Sequence, residues 1–425
     1  MNIRFYNARI MTMKAGCEIS EGELWVKDNR ICYVGDSDTV KPAAPPWDRQ
    51  IDCEGNLLMP GFKNGHTHSG MTVFRSLCDD YNLQDWLNQE IFPREAKMTG
   101  EDCYTLTKLA VLEYLTSGIT AIGDMYLTPE TIADACIHTG MRCVLVSGLN
   151  KFGPALSVME DRYNQLNKKH PLITYQMGIH AEYTCSRELL EEVSALIRKY
   201  KAPFYSHMSE TKAEVDECMG RYGITPAKLF EELGLLEFGG CVYHGVHVTP
   251  EDIAILKKHD ISVITNPASN AKLASGIAPI GEYLKAGVNV GIGTDGASSN
   301  NCLDMFREMF LTTALAKLKE NDPAAVDALK VLRMATVNGA LSMGLTECDV
   351  LEEGKLADII MIDLHQPNMQ PLNNIAKNIV YSGSKTNIKM TMIDGKILYE
   401  NGQFADSLIP EDIYLASNDI LERLR

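Results

Sequence analysis

Residues 60–70 read PGFKNGHTHSG, an apolar approach followed by His66 and His68 and then by small residues. On a strand, positions i and i+2 point to the same face, whereas on a helix they diverge by about 200°. If LLMPGF leads a strand into this segment, both imidazoles face one point. The same texture recurs along the chain. The short apolar runs NLLMPGFKNGHTH, GITAIGDM, RCVLVSGL, ITYQMGIH, APFYSH, GCVYHG, ISVITNP and VNVGIGTDG alternate with longer amphipathic stretches such as SRELLEEVSALIRKY. Eight strand-like runs separated by helix-like ones predict an α/β fold, a (β/α)8 barrel. A doubly wound open sheet would show the same periodicity. Several runs end in a residue able to do chemistry: His68, His180, His207, His244 and Asp295. Barrel enzymes carry their chemistry at the C-terminal ends of the strands.

Both ends of the chain have a different texture. IRFYNARIMTM and GELWVKDNRICYVG near the start, and GKLADIIMIDL and KMTMIDGKILYENG near the end, are β-rich with Gly, Asn and Asp turns. They predict a composite β-sandwich domain built from residues 1–56 and 350–405, around a barrel spanning 57–349, with a helical tail at 406–425. A length of 425 residues suits one large unit plus a smaller one. Hydrophobic residues at 45% and charged residues at 23% are ordinary for a globular protein. The formal charge of −16 argues against a nucleic-acid polymer or an anionic membrane as partner. With no membrane-length apolar run, the expectation is a cytoplasmic chain. The 12 cysteines are scattered without a CxxC pair, so they are expected to be reduced thiols. Any metal must then use histidines and carboxylates.

Each candidate has an ordinary reading when taken alone. His66 and His68 could be surface residues, Glu210 in HMSE a solvated loop charge, His244 a core histidine, and Asp295 a turn residue before glycine. Their occurrence in order, at the ends of β/α units, favours one site. Neutral imidazoles with a carboxylate suit a single divalent cation, Zn²⁺ first, with Fe²⁺ or Mn²⁺ conceivable. Such a cation can lower the pKa of water to about 7. Glu210 is then placed to move protons, and His244 to orient the nucleophile.

The stretches PGFKNGHTH, SHMSET, YHGVHVTPEDI, NPASNAKLASGIAP and GIGTDGASSNN resemble the amidohydrolase superfamily. The similarity is closest to the branch of methylthioadenosine/S-adenosylhomocysteine deaminases and the related triazine chlorohydrolases, and it covers nearly the whole chain. The resemblance implies a distorted barrel with one metal. His66, His68, His207 and Asp295 would be the ligands, Glu210 the proton shuttle and His244 the water-polarising residue, with Asp295 also accepting a proton. The P-C-x-x-C signature of the other zinc deaminase class is missing. The run ITYQMGIH ends in His180, where two-metal cyclic amidases carry a modified lysine.

In adenosine-type deaminases of this branch a glutamate in the region DWLNQEIFPRE contacts the ribose hydroxyls, and a histidine after the fourth strand contacts the nucleoside. Glu95 and His180 match those positions, and a carboxylate is a sensible clamp for vicinal hydroxyls. One position departs from the pattern. Members that handle S-adenosylhomocysteine often carry an arginine in an RG step after the third strand, where this chain has Ser147; Lys151 is the nearest cationic substitute. Lysine does not reproduce the guanidinium fork. The expected substrates are therefore adenosine, 5′-deoxyadenosine or methylthioadenosine, then S-adenosylhomocysteine. A sugarless ring (guanine, pterin or triazine) is the competing reading, and a non-catalytic binding module the third. Segment 70–95 is expected to form a lid or pocket wall. A homo-oligomer is compatible with the sequence.

Overall fold

The computed structural model describes residues 1–16, 18–36, 45–77, 79–81 and 83–425. Strands β1 (Asn2–Ile10), β2 (Ser20–Lys27), β3 (Arg30–Asp36), β4 (Arg49–Asp52) and β5 (Leu57–Pro60) come from the N-terminal segment. The next eight, β6 (Phe62–Thr67), β7 (Ile119–Asp124), β8 (Arg142–Val146), β9 (Ile173–Gly178), β10 (Phe204–Met208), β11 (Gly240–His244), β12 (Ile261–Thr265) and β13 (Val290–Ile292), alternate with helices. Strands β14 (Ile359–Ile362), β15 (Ile388–Ile393), β16 (Lys396–Glu400) and β17 (Gln403–Phe404) follow near the C-terminus. The terminal strands form one sheet in the order β17-β16-β15-β14-β5-β1-β2-β3, with β4 on β1. Both ends of the chain therefore share a sheet, as their common texture predicted.

Strands β6 to β13 pair in sequence order, all in parallel. Strands β6, β7, β10 and β11 are almost wholly buried, as parallel strands covered on both faces require. The open-sheet alternative is excluded at the seam between first and last strands. The Asp295 N–H donates to the His66 carbonyl at 2.9 Å, and the Thr294 N–H to Asn64 Oδ1 at 2.9 Å, while Asn64 Nδ2 donates to Thr294 Oγ1 at 2.7 Å. An asparagine side chain thus completes a ladder that backbone alone leaves short. The seam is tight: a Cβ on Gly293 would lie 2.8 Å from the His66 carbonyl oxygen.

A buried ion pair joins barrel and terminal sheet. Arg142 at the start of β8 grips Asp358, just before β14, through Nε (2.7 Å) and Nη2 (2.9 Å), with side chains 5% and 0% exposed. Removing one member of a buried pair leaves the other charge unsolvated. Arg142→Ala is therefore expected to lower unfolding stability by about 3–5 kcal/mol, read as a drop in the urea midpoint. An unchanged midpoint would show the pair to be dispensable.

The tail forms the helix Pro410–Leu424. It packs beside the helix Gly100–Thr116, where Arg423 pairs with Asp102. Ile420 and Leu424 join an apolar cluster with Met71, Trp86, Leu87 and Ile91. Among the described residues no helix is long and apolar enough to cross a membrane.

Candidate active site

The strand ends bring His66, His68, His180, His207, His244 and Asp295 together at one mouth of the barrel. Ring centroids lie 4.7 Å apart for His66–His68 and for His66–His207, 5.8 Å for His66–His244 and 4.9 Å for His180–His207. Asp295 Oδ1 is 3.1 Å from His68 Nε2 and 3.6 Å from His66 Nε2. Two overlapping sets, His66/His68/His207 and His66/His244/Asp295, place their donor atoms within 4.8 Å of one another. The i, i+2 geometry read from HTH is thus realised.

Three of these histidines are aimed by a second contact through Nδ1, the arrangement that holds metal-binding imidazoles in place. His68 Nδ1 donates to the Met125 carbonyl, and His207 Nδ1 to the His180 carbonyl at 2.7 Å. His244 Nδ1 meets Asn270 Oδ1 at 2.8 Å. These bonds occupy Nδ1 and leave Nε2 facing the centre. His66 is different: neither ring nitrogen has a hydrogen-bond partner, although the residue is 0% exposed and stacks on Tyr243 at 3.8 Å. A buried imidazole with both nitrogens free of hydrogen bonds, at the centre of a donor cluster, fits a cation held at that point. Asp295 Oδ2 accepts from Ser269 Oγ (2.6 Å) and Ser299 Oγ (2.9 Å), and Oδ1 accepts from the Gly296 N–H (2.8 Å) while also facing His66 and His68. His244 and Asp295 hold φ angles of 70° and 60°, a left-handed conformation that side-chain-bearing residues adopt at functional turns.

The electrostatics agree with this geometry. Burial drives the imidazoles of His66 and His207 well below their usual pKa, and takes His180 down to about 4. These rings are neutral donors at pH 7. Burial also opposes charge on His68, but Asp295 beside it wins and lifts the ring to about 9. The neutral imidazoles and the carboxylate fit a borderline divalent cation.

Glu210, 5% exposed, follows β10 and sets Oε2 3.8 Å from His244 Nε2. Burial raises its carboxyl pKa, His244 opposes the rise, and Asp295 adds to it. Its backbone is pinned by Glu214, whose carboxylate accepts from the N–H groups of Ser209 (2.7 Å) and Glu210 (2.8 Å). Sequence reading missed Glu214, although Thr211-x-x-Glu214 is a helix-start pattern and Thr211 caps that helix. It also missed Ser269, Asn270 and Ser299, which sit inside quoted motifs but carry no chemistry of their own. Glu308 was invisible as well: it accepts from the Ala268 N–H (3.1 Å) and Asn300 Nδ2 (2.8 Å), anchoring the short helix Pro267–Lys272 that presents Ser269 and Asn270.

A cavity of about 540 Å³ opens from this cluster. Segment 70–95 supplies one wall through Met71, Leu83, Trp86 and Leu87, so Trp86 is both core and cavity lining. Glu95 and His180 line the same cavity. Burial raises the Glu95 pKa and the Tyr126 hydroxyl opposes that rise. Lys151 is not among the lining residues; its ammonium sits 5.0 Å over the Phe152 ring. The substitute cation considered for the Ser147 position is thus turned elsewhere. Arg162, which sequence reading passed over, does line the cavity.

The model of the Amidohydrolase family matches residues 57–398, from β5 into β16. The chain belongs to this family. Among curated amidohydrolases of similar sequence, the 5-methylthioadenosine/S-adenosylhomocysteine deaminase of Moorella thermoacetica is 39% identical over 94% of both chains. The 5′-deoxyadenosine deaminase of Methanothermobacter thermautotrophicus is 38% identical over 91% of each. Among solved amidohydrolase-like structures, an adenosine deaminase from Xanthomonas campestris with bound zinc superposes with a TM-score of 0.94 at 29% identity, covering 100% of this chain and 98% of that one.

Proposed function

We propose that this amidohydrolase is a metal-dependent deaminase of adenine nucleosides, converting them to the inosine analogue and ammonia. The observation that carries the reading is one cavity holding both a cation-demanding donor cluster and, along its wall, the carboxylate–imidazole pair Glu95 and His180. The names of the relatives support it. His66, His68, His207 and Asp295 would hold the ion, most simply zinc, with iron or manganese accepted by the same donors. When bound, such an ion supplies Lewis acidity that makes water a nucleophile near neutral pH.

The chain's own residues do the rest. Glu210, whose carboxyl burial inclines to hold a proton, takes one proton of the attacking water and delivers it to the purine ring nitrogen next to C6. His244, on the same side, hydrogen-bonds the attacking water and sets its approach. Asp295 takes the second proton and passes it to the departing ammonia. Glu95 accepts from the ribose hydroxyls, His180 contacts the nucleoside, and the Met71–Trp86 wall excludes water from the ring. Orientation of this kind removes much of the entropic barrier.

Ammonia release from adenosine, 5′-deoxyadenosine, methylthioadenosine and S-adenosylhomocysteine tests the reading. Glu95→Ala is expected to lower kcat/KM on nucleosides about ten- to a hundredfold, mainly through KM, the size of a lost charged hydrogen bond. It should leave free bases nearly unaffected. Turnover confined to free bases or triazines would replace this reading with a sugarless-ring hydrolase.

A further inference from the structure

The cavity that Glu95 and His180 line is also walled by Ser147, Leu149, Met159, Arg162 and Tyr175, and Tyr175 feels both Ser147 and Arg162, which sets these three residues together as one lobe of the wall. Arg162 is the only lysine or arginine among the described lining residues. A lone guanidinium there would read as an anion site. It is not alone. Glu130, in the first turn of the helix Pro129–Thr139, grips it as a fork, with Nε–Oε1 at 2.6 Å and Nη2–Oε2 at 3.1 Å. Arg162 lies on the helix Leu156–Leu166, so the pair also ties two barrel helices together. The Arg162 side chain is 22% exposed and that of Glu130 46%. A carboxylate in the first turn of a helix is held by the helix dipole as well as by its partner. Tyr175 closes the wall. Burial raises its hydroxyl pKa; Ser147 and Arg162 beside it partly offset that rise, and Glu130 adds to it.

We propose that Glu130 selects the 5′ substituent: by occupying Arg162 it makes this lobe a site for uncharged, apolar groups such as an alkylthio group, and against an α-amino acid tail. The inference rests on the nucleoside reading above and deepens it. A ligand carboxylate entering this lobe loses water and finds a guanidinium whose charge is already balanced, an exchange with little return. A methylthio group meets Leu149 and Met159 and leaves the polar wall satisfied. Glu130, which is not among the lining residues, is a positioning residue that acts through Arg162.

The test compares kcat/KM for methylthioadenosine and S-adenosylhomocysteine in the metal-loaded enzyme. The wild type should prefer methylthioadenosine by about tenfold or more, and Glu130→Gln, which frees the guanidinium fork, should raise the S-adenosylhomocysteine to methylthioadenosine ratio about tenfold, through KM rather than kcat. Glu130→Asp should return the ratio towards wild type, which a merely structural role would not predict. Arg162→Met should leave the ratio low. This second variant decides the matter if Glu130→Gln does not fold. A ratio unmoved by Glu130→Gln overturns the inference alone. So does a wild type that prefers S-adenosylhomocysteine and loses it in Arg162→Met, because the pair would then bind the amino acid as a zwitterion. If the wild type turns over no adenine nucleoside, the functional reading falls, and this inference with it.

Discussion

Glu210→Gln is expected to lower kcat by about 10²–10⁴-fold, the usual contribution of a positioned general acid–base, while the metal content per chain stays at the wild-type value. The two readouts separate because of where Glu210 sits. It is 5% exposed and 3.8 Å from His244, yet it belongs to neither set of converging donor atoms. Glutamine keeps its shape, and the backbone bonds from Glu214 hold the turn whatever the side chain is. Only the capacity to carry a proton is lost. Steady-state ammonia release and elemental assay of the same preparation check both halves. A kcat within tenfold of wild type would remove Glu210 from the proton path. Loss of metal together with activity would make it a ligand.

His66→Ala is expected to abolish turnover and to reduce bound metal from about one ion per chain to a trace, because each missing ligand weakens a small site severely. His66 is the most informative ligand to remove. It is shared by both donor sets, it is 0% exposed, and neither of its nitrogens has a hydrogen-bond partner. A core histidine would be satisfied by protein; this one is not. Binding to the folded state alone stabilises it by mass action. Chelation should therefore lower the melting temperature of the wild type and leave that of His66→Ala unmoved. Full metal occupancy in the variant would contradict the cluster as a cation site. Retained circular dichroism would show that the loss is local.

Much of this site was legible in the chain. HTH announced two imidazoles on one face of a strand because the period of a strand is local geometry. The endings of APFYSH, GCVYHG and VNVGIGTDG placed His207, His244 and Asp295 at strand ends for the same reason. His180 stood out as the ending of ITYQMGIH, but Glu95, and a substrate-contacting role for either residue, came only from the resemblance of the surrounding motifs to a known branch. Lys151 shows the limit. Its distance along the chain from Ser147 suggested a replacement cation, but nothing local told which way its side chain points.

By itself, the sequence determined the alternation of strands and helices, the shared sheet of the two ends, and the residue types able to meet a cation, all of which follow from short-range periodicity and chemistry. Only the tertiary structure decided that the sheet closes, through Asn64 and His66 meeting Thr294 and Asp295 across the seam. It alone docked the tail against the cavity wall and set Glu130 on Arg162. Those contacts join residues far apart in the chain, and their partners are chosen by packing and desolvation, which no local pattern of residues encodes.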